Sequence, residues 1–428
     1  MQSLRPLLLH FARLAGIAHF VPLSAAALML GVAMSFTAPY LSLFGVEAAG
    51  MSPFLAGIFM TSIAASGVVA STWAGRWSDR RERHRPLLVV SLGAAALGFA
   101  LLCVLRAHGP VIAAGTILLG AGAVSLSQIF SFARAVLPVA DDAQRELASA
   151  ALRTMLSIAW VFGPALGALI LAQTGFTGLF LAAAAGFVAC AAIVARIPEP
   201  ARRPVAAHVQ APDRVAPPPD AARAAVVVAT RASVLRTLVA LTLIGLAANA
   251  TMIVLPLYIV HALGGTPANV SAALGLAALL EIPMMLWLGI RSTHLDKARW
   301  LTACALVHAA YFVGLAAVTR VNLILPLQLL SACVVAITSC LGMTRVCDLM
   351  PTRPGTATAM FFSTARVGSI ASGVLSGACV DLFGYRATFA GCGGLALVAC
   401  VLLAVDAYGE RGGTRRTSGA RHGFDSPH

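Results

Sequence analysis

The chain has 428 residues, of which 59% are hydrophobic and only 11% charged. Soluble domains carry about 25% charged residues, so a mainly water-facing surface is excluded and a polytopic helical membrane protein is indicated. The net charge of +14, from 29 Arg and the single Lys297, does not point to nucleic acid, because the basic residues gather in loops on one side. A β-barrel is excluded by the lack of alternating segments of roughly ten residues.

In chain order, the first twenty residues are weakly basic and amphipathic, like a signal peptide. The run from Val21 to Phe44 is nevertheless long enough to span and is read as a retained first helix. A helix needs about 20 mainly apolar residues to cross the hydrocarbon core. Twelve segments meet that length: 21–44, 53–74, 86–105, 110–135, 148–173, 176–196, 233–260, 269–291, 300–320, 322–345, 357–381 and 385–407. The connections near 175 and 321 are very short.

The second segment runs into Gly75–Leu87, GRWSDRRERHRPL, which holds five arginines and two acids and is expected to be a solvent-exposed turn. Central Arg or Asp costs roughly 2.5–3.5 kcal/mol each on insertion scales. Alternating the loops places 23 Arg and Lys on the side of the termini and three, Arg106, Arg320 and Arg386, on the other. The positive-inside rule then makes both termini cytoplasmic. Residues 197–232 are rich in Pro, Ala and Arg, lack apolar periodicity, and read as a flexible cytoplasmic linker. They divide an N-terminal six-helix half (1–196) from a C-terminal six-helix half (233–408), followed by a cytoplasmic tail (409–428).

The halves carry weak repeats in register. TAPYL at 37–41 matches VLPLY at 254–258, pairing Pro39 with Pro256. Arg134–Pro138 matches Arg345–Pro351, and Gly163, Gly167 and Ala168 match Gly373, Gly377 and Ala378. Parallel six-plus-six repeats joined by a cytoplasmic linker describe an all-α fold of twelve transmembrane helices in two pseudo-symmetric halves, the major facilitator architecture.

Gly75, Asp79, Arg80 and Arg83 form a G-x-x-x-D-R-x-x-R pattern that resembles the loop signature of the major facilitator superfamily, with Trp77 and Glu82 as departures. Its repeat partner, Gly289–Arg299, has Thr293 where an acid is expected. In the family this cluster stabilises the outward-open state. Gly163, Pro164 and Gly167 resemble the family exporters' helix-5 element; the glycines leave a smooth face for a partner helix, and Pro164 removes one backbone hydrogen bond. APYLSLF at 38–44, FARAVLPVADDAQRE at 132–146, LRTMLSIAWVFGPAL at 152–166, LEIPMM at 280–285 and DLMP at 348–351 are similar to the bacterial sugar efflux transporters. That resemblance implies an inner-membrane, multi-pass exporter of lactose-, glucose- or glycoside-like sugars, driven by proton antiport. Two departures bear on the antiport: Thr116 stands where proton-driven exporters have Arg, and Leu255 stands where an acid precedes the proline.

Glu281 is the only acid well inside a predicted span, ~15 Å from the cytoplasmic end at 1.5 Å per residue. An intramembrane ionisable residue marks function by default. Arg366 falls at matching depth, and the two are expected to pair or to meet through water or substrate. Arg153 either snorkels outward or faces the cavity, whereas Arg134 and Arg345 suit helix C-termini. Sugar needs hydroxyl partners and flat apolar faces, for which Tyr40, Gln128, Trp160, Asn249, Tyr258, Trp287 and Gln328 are candidates. His308 falls on a segment read as peripheral and is assigned a structural role.

The nine cysteines form no CxxC pair, so neither zinc nor a disulfide framework is indicated, and no metal or cofactor is expected. The expected partners are a sugar or glycoside, protons and the lipid bilayer, and the chain is expected to be a monomer. An exporter of drugs or another metabolite is the main alternative, and a non-transporting receptor a lesser one. A membrane enzyme lacks HExxH, GxSxG and P-loop residues.

Overall fold

Backbone N–H and C=O groups in lipid must be satisfied within the segment that carries them, and long apolar runs therefore fold as helices. The computed structural model describes residues 16–81, 83–138, 142–199, 231–291 and 295–421; a few helical side chains, Asp79 among them, lie outside the described residues. So do the N-terminal fifteen residues, most of the predicted linker and Thr293. No strand occurs among the described residues.

Ten helical runs follow one another, each containing a stretch long and apolar enough to cross a membrane. They are α1 (Phe20–Ala48), α2 (Pro53–Arg81), α3 (Arg85–Leu102), α4 (His108–Val136), α5 (Asp142–Arg196), α6 (Arg231–Ala262), α7 (Pro267–Arg291), α8 (Lys297–Ala317), α9 (Val321–Leu349) and α10 (Pro354–Arg421). The sequence predicts separate segments at 148–173 and 176–196, and at 357–381 and 385–407. In each pair the two helices meet directly at a single non-helical residue, with no loop between them. Those residues are Gly175 (φ 67°, ψ −169°) and Gly384 (φ 80°, ψ 172°), a backbone region open essentially to glycine alone. The connection near 321 is the short 3-10 turn Val321–Leu323.

The predicted turn at 75–87 is also shorter than expected, because α2 continues to Arg81. At 1.5 Å per residue its 29 residues reach ~43 Å, so its arginines stand beyond a hydrocarbon core of ~30 Å and favour a helix C-terminus. Arg81 lies 4.8 Å over the Trp77 ring one turn back, which gives the unusual tryptophan a cation–π partner. Glu199, at the end of α5, accepts from the backbone N–H groups of His84 (2.7 Å) and Arg85 (3.3 Å) and so caps α3.

The paired motifs around Pro39 and Pro256 have matching geometry. α1 is interrupted by a 3-10 turn at Ala38–Tyr40 and closes in a π-turn, Phe44–Ala48. α6 contains Pro256 and closes in the π-turn Tyr258–Ala262. Inside the first five helices Phe44, Phe176 and Phe180 meet edge-to-face or tilted. Outside, apolar side chains such as Val90, Leu181, Val313 and Val401 are exposed, as a lipid-facing surface requires.

α1 packs on α5 and α6 on α10; the first five helices meet the last five mainly where α2 packs on α10 and α5 on α7.

Candidate functional site

A cavity of about 440 Å³ lies where α5 faces α6–α9, within the ~300–1,000 Å³ range of small-molecule sites. α5 contributes Ser157, Trp160 and Pro164; α6 contributes Asn249 and Thr251; α7 contributes Glu281. Behind them stand His308 and Tyr311 of α8 and Gln328 and Ser331 of α9. Glu281 is half-buried and, among the described residues, is the only acid in the lining, which holds no described Lys or Arg.

The lining amides and hydroxyls share one habit. Asn249 donates to the Gly245 carbonyl (2.7 Å), Thr251 to Ala247 (3.1 Å), Gln328 to Ile324 (3.3 Å) and Ser157 to Arg153 (3.2 Å). Each of these groups thus spends one hydrogen on the carbonyl four residues earlier on its own helix, as short polar side chains in helices tend to, and the amides of Asn249 and Gln328 keep a second N–H. Their oxygens keep free lone pairs. His308 is 2% exposed and stacks near Tyr311, with ring centroids 6.3 Å apart. His308 Nδ1 and Tyr311 Oη are shielded and make no hydrogen bond of full distance and angle, although Gln328 and Ser331 flank the hydroxyl.

Of the sequence candidates, Trp160, Pro164, Asn249, Gln328 and Glu281 come together here. The others go elsewhere. Gln128 is buried between α4 and α2, 3.4 Å from Ser78 Oγ. Tyr258 donates to carbonyls at the end of α8, Val318 (3.0 Å) and Leu315 (3.2 Å), groups that a helix C-terminus leaves without internal partners. Tyr40 donates to the Pro164 carbonyl (2.9 Å), with that of Pro267 3.4 Å away. Trp287 is exposed at the far end of α7, its ring 6.0 Å from that of Trp300.

Arg366 is exposed, is not among the cavity-lining residues, and forms no ion pair with Glu281. Arg153 is exposed as well, its guanidinium 5.7 Å from the Phe130 ring of α4. Arg134 is exposed and Arg345 buried. In the loop signature Gly75 is half-buried and Arg80 and Arg83 are exposed; the Asp79 carboxylate lies outside the described residues. Gly163 and Gly167 press on α1, where added methyl groups would strike Ser35 and Phe36.

Sequence reasoning missed two things. His308 and Tyr311 belong to the cavity wall, although a lone neutral polar residue in an apolar span carries no signal of the direction it faces. It also missed a clamp where the two sets of helices meet. At the start of α2, the Phe54 N–H donates to Asp381 Oδ2 of α10 (3.1 Å). Two turns on, Thr61 Oγ1 donates to the Ile370 carbonyl (2.8 Å) and accepts from the Val374 N–H (2.9 Å). Between these links Gly57 faces Gly373 and Gly377 so closely that a Cβ on Gly377 would sit 2.5 Å from the Pro53 carbonyl oxygen. The π-turns complete the contact: His261 Nε2 lies 3.2 Å from Glu47 Oε1. All of these links gather at the ends where α1 passes into α2 and α6 into α7.

A cavity between two helix sets clamped at one end is the arrangement of a solute carrier. The sequence model of the Major Facilitator Superfamily matches this chain twice, over residues 23–353 and 237–426. A Deinococcus radiodurans protein provisionally named a sugar efflux transporter is 36% identical over 89% of this chain and 96% of its own length. Sugar efflux transporter A of Escherichia coli is 31% identical over 85% of this chain and 90% of that protein. Among solved structures, the nucleoside transporter NupG aligns at a TM-score of 0.72 and 11% identity, covering 91% of this chain and 98% of that one. An auto-inhibited peptide transporter of the POT family aligns at 0.68 and 13%, covering 91% and 96%. At such identities the structures speak for the fold alone. The chain belongs to the Major Facilitator Superfamily and, within it, to the sugar efflux transporter family. It is a multi-pass membrane transporter and not an enzyme.

Proposed function

We propose that this protein exports sugars or glycosides of the lactose and glucose class across the bacterial inner membrane by alternating access, coupled to proton antiport through Glu281. The observation that carries the reading is the cavity itself: Trp160 supplies a flat apolar face, and Asn249, Gln328 and Thr251 line it with neutral polar side chains. The names of the relatives point to the same cargo.

In this reading the chain crosses the bilayer twelve times with both termini cytoplasmic. Length supports it, since the apolar parts of α5 and α10 hold 46 and 52 residues, or ~69 and ~78 Å at 1.5 Å per residue, twice what one ~30 Å crossing needs. Residues 1–196 and 233–408 are then the two rocking halves, with 197–232 linking them and 409–428 following. The clamp closes the external face and the cavity communicates with the cytoplasm. The loop at Gly75, Asp79, Arg80 and Arg83 locks the cytoplasmic face in the opposite state, and the chain works as a monomer.

Glu281 lines the cavity and has no ion-pair partner among the described residues, so loading a proton there changes what the cavity holds best. Arg366 joins it only through water, substrate or the change of state. The test is uptake into everted vesicles of labelled lactose, glucose and a thiogalactoside. The expected result is pH-gradient-driven uptake that Glu281→Gln abolishes while counterflow persists. Gradient-driven uptake unchanged in Glu281→Gln refutes the coupling, and no uptake of any of the three refutes the sugar reading. A second reading, export of a protonated amine, is favoured by that same lone carboxylate and predicts amine uptake instead.

A further inference from the structure

Two polar side chains in the back wall of the cavity have no task in the sugar reading. His308 and Tyr311 stand three residues apart on α8, and Gln328 and Ser331 three apart on α9. Residues at that spacing share a helix face, α8 packs on α9, and all four line the cavity. His308 and Tyr311 are only 2% and 1% exposed, yet His308 Nδ1 and Tyr311 Oη make no hydrogen bond of full distance and angle. The rings of Phe312 and Tyr311 flank the imidazole, with centroids 4.6 and 6.3 Å away, contacts that an apolar side chain would make as well. Buried polar atoms without partners oppose folding, and native proteins keep few of them. Packing alone therefore does not account for the pair.

We propose that His308 and Tyr311, with Gln328 and Ser331 beside them, form a subsite that takes one hydroxyl of the transported sugar. The inference deepens the sugar reading and rests on it for the class of ligand. A neutral imidazole offers one donor and one acceptor, and hydroxyls and amides offer both. The cluster therefore suits a group that gives and takes hydrogen bonds without charge, as an alcohol does. A carboxylate only accepts and an ammonium only donates, and none of the four residues is a carboxylate, Lys or Arg. The two atoms are shielded in this structure. Gln328 and Ser331, which flank the Tyr311 hydroxyl, turn about single bonds, and such rotamer changes commonly accompany binding while the backbone stays in place. A sugar lacking the hydroxyl leaves the wall unmatched, which is how a site built for a hydroxyl rejects the analogue without one.

The experiment uses the full chain in proteoliposomes and counterflow of labelled glucose, with each monodeoxy glucose as competitor. It is joined to the melting temperature of the sugar-free protein in detergent. In wild type, one deoxy sugar should compete ~10-fold more weakly than glucose, the scale of one buried hydrogen bond left unmade. Tyr311→Phe and His308→Leu should each weaken glucose ~10-fold and close that gap, with the gaps at other positions as in wild type. The melting temperature should hold or rise, because each change deletes a polar atom that has no partner. Tyr311→Phe removes a single oxygen and keeps the ring, so it carries the test if His308→Leu does not fold. A gap that persists in the variants overturns the subsite, and so does a lowered melting temperature in Tyr311→Phe, which would give the hydroxyl a structural role. Wild type without glucose counterflow refutes the sugar reading and the subsite with it. Wild-type counterflow with gaps unchanged in the variants refutes the subsite alone.

Discussion

Gly377→Ala isolates the clamp from every other part of the protein. The new methyl would lie 2.5 Å from the Pro53 carbonyl oxygen and 3.1 Å from the Cα atoms of Gly57 and Phe54. All three are backbone atoms and cannot rotate aside, so α10 must back away from α2 by about 1 Å to restore ordinary contact. Overpacking of this kind costs typically ~1–3 kcal/mol. In the proposed alternating-access cycle only the clamped state bears that cost, because there the two helices part when the other face closes. At 1.4 kcal/mol per tenfold, a cost of ~2.8 kcal/mol moves the equilibrium ~100-fold toward the unclamped state. Spin labels on Phe54 and Leu382, both exposed near this end, report the separation by pulsed dipolar spectroscopy. The longer distance should gain population in Gly377→Ala. Gly391→Ala, where an added Cβ meets nothing within 4 Å, should leave the distribution as in wild type. Identical distributions in wild type and Gly377→Ala would refute the claim that glycine contact holds the clamp.

Replacing Asp381 with Ala removes the carboxylate from the α2 N-terminus, an interaction worth ~0.3–1 kcal/mol at exposed positions; the same labels should show a two- to five-fold shift toward the open clamp. Asp406, 4% exposed, holds Arg236 at 2.5 Å and Thr237 at 3.3 Å. Asp406→Ala should destabilise the fold by ~1–2 kcal/mol, discounted because the arginine reaches solvent, and lower the melting temperature in detergent without altering ligand selectivity. Glu199→Ala should remove the cap on α3 at a cost of ~1 kcal/mol, read as faster proteolysis near residues 83–85. Trp160→Ala should weaken counterflow of glucose ~10-fold through KM, as loss of a flat apolar contact does when both ground and transition states use it.

The spans were legible because hydrophobic length is an arithmetic property of the chain; the weak repeats at Pro39 and Pro256 gave no sign that both helices would close in a π-turn. The corners at Gly175 and Gly384 were readable as very short connections between helices but not as turns of one residue, since a single glycine of positive φ makes each of them. Within the site, Glu281 stood out because a carboxyl in an apolar span has few bland explanations. Neutral polar residues do not discriminate in that way. Tyr40 and Tyr258 looked like sugar ligands, yet their hydroxyls serve carbonyls at Pro164, Val318 and Leu315, where a proline or a helix end leaves acceptors exposed. Tyr311 and His308, two residues of the same kinds, line the cavity. Amphipathic periodicity, which sorts such cases in soluble helices, is absent when both core and lipid faces are apolar. The pairing of Glu281 with Arg366 assumed that equal depth means proximity, whereas depth fixes one coordinate and the azimuth of each helix sets the rest.

Corners made of one glycine leave no slack between the helical arms they join. The first arm of α5 carries Trp160, and the first arm of α10 carries Gly373 and Gly377 against α2. Each continues at once into a second arm that exposes apolar side chains, Leu181 and Val188 in one and Leu397 and Val401 in the other. A change of tilt at the clamp is therefore delivered mechanically to surfaces that displace lipid. Tilt trades against hydrocarbon thickness at a fraction of a kcal/mol per Å of mismatch, so in the proposed cycle acyl-chain length is expected to bias which end of the protein stands open.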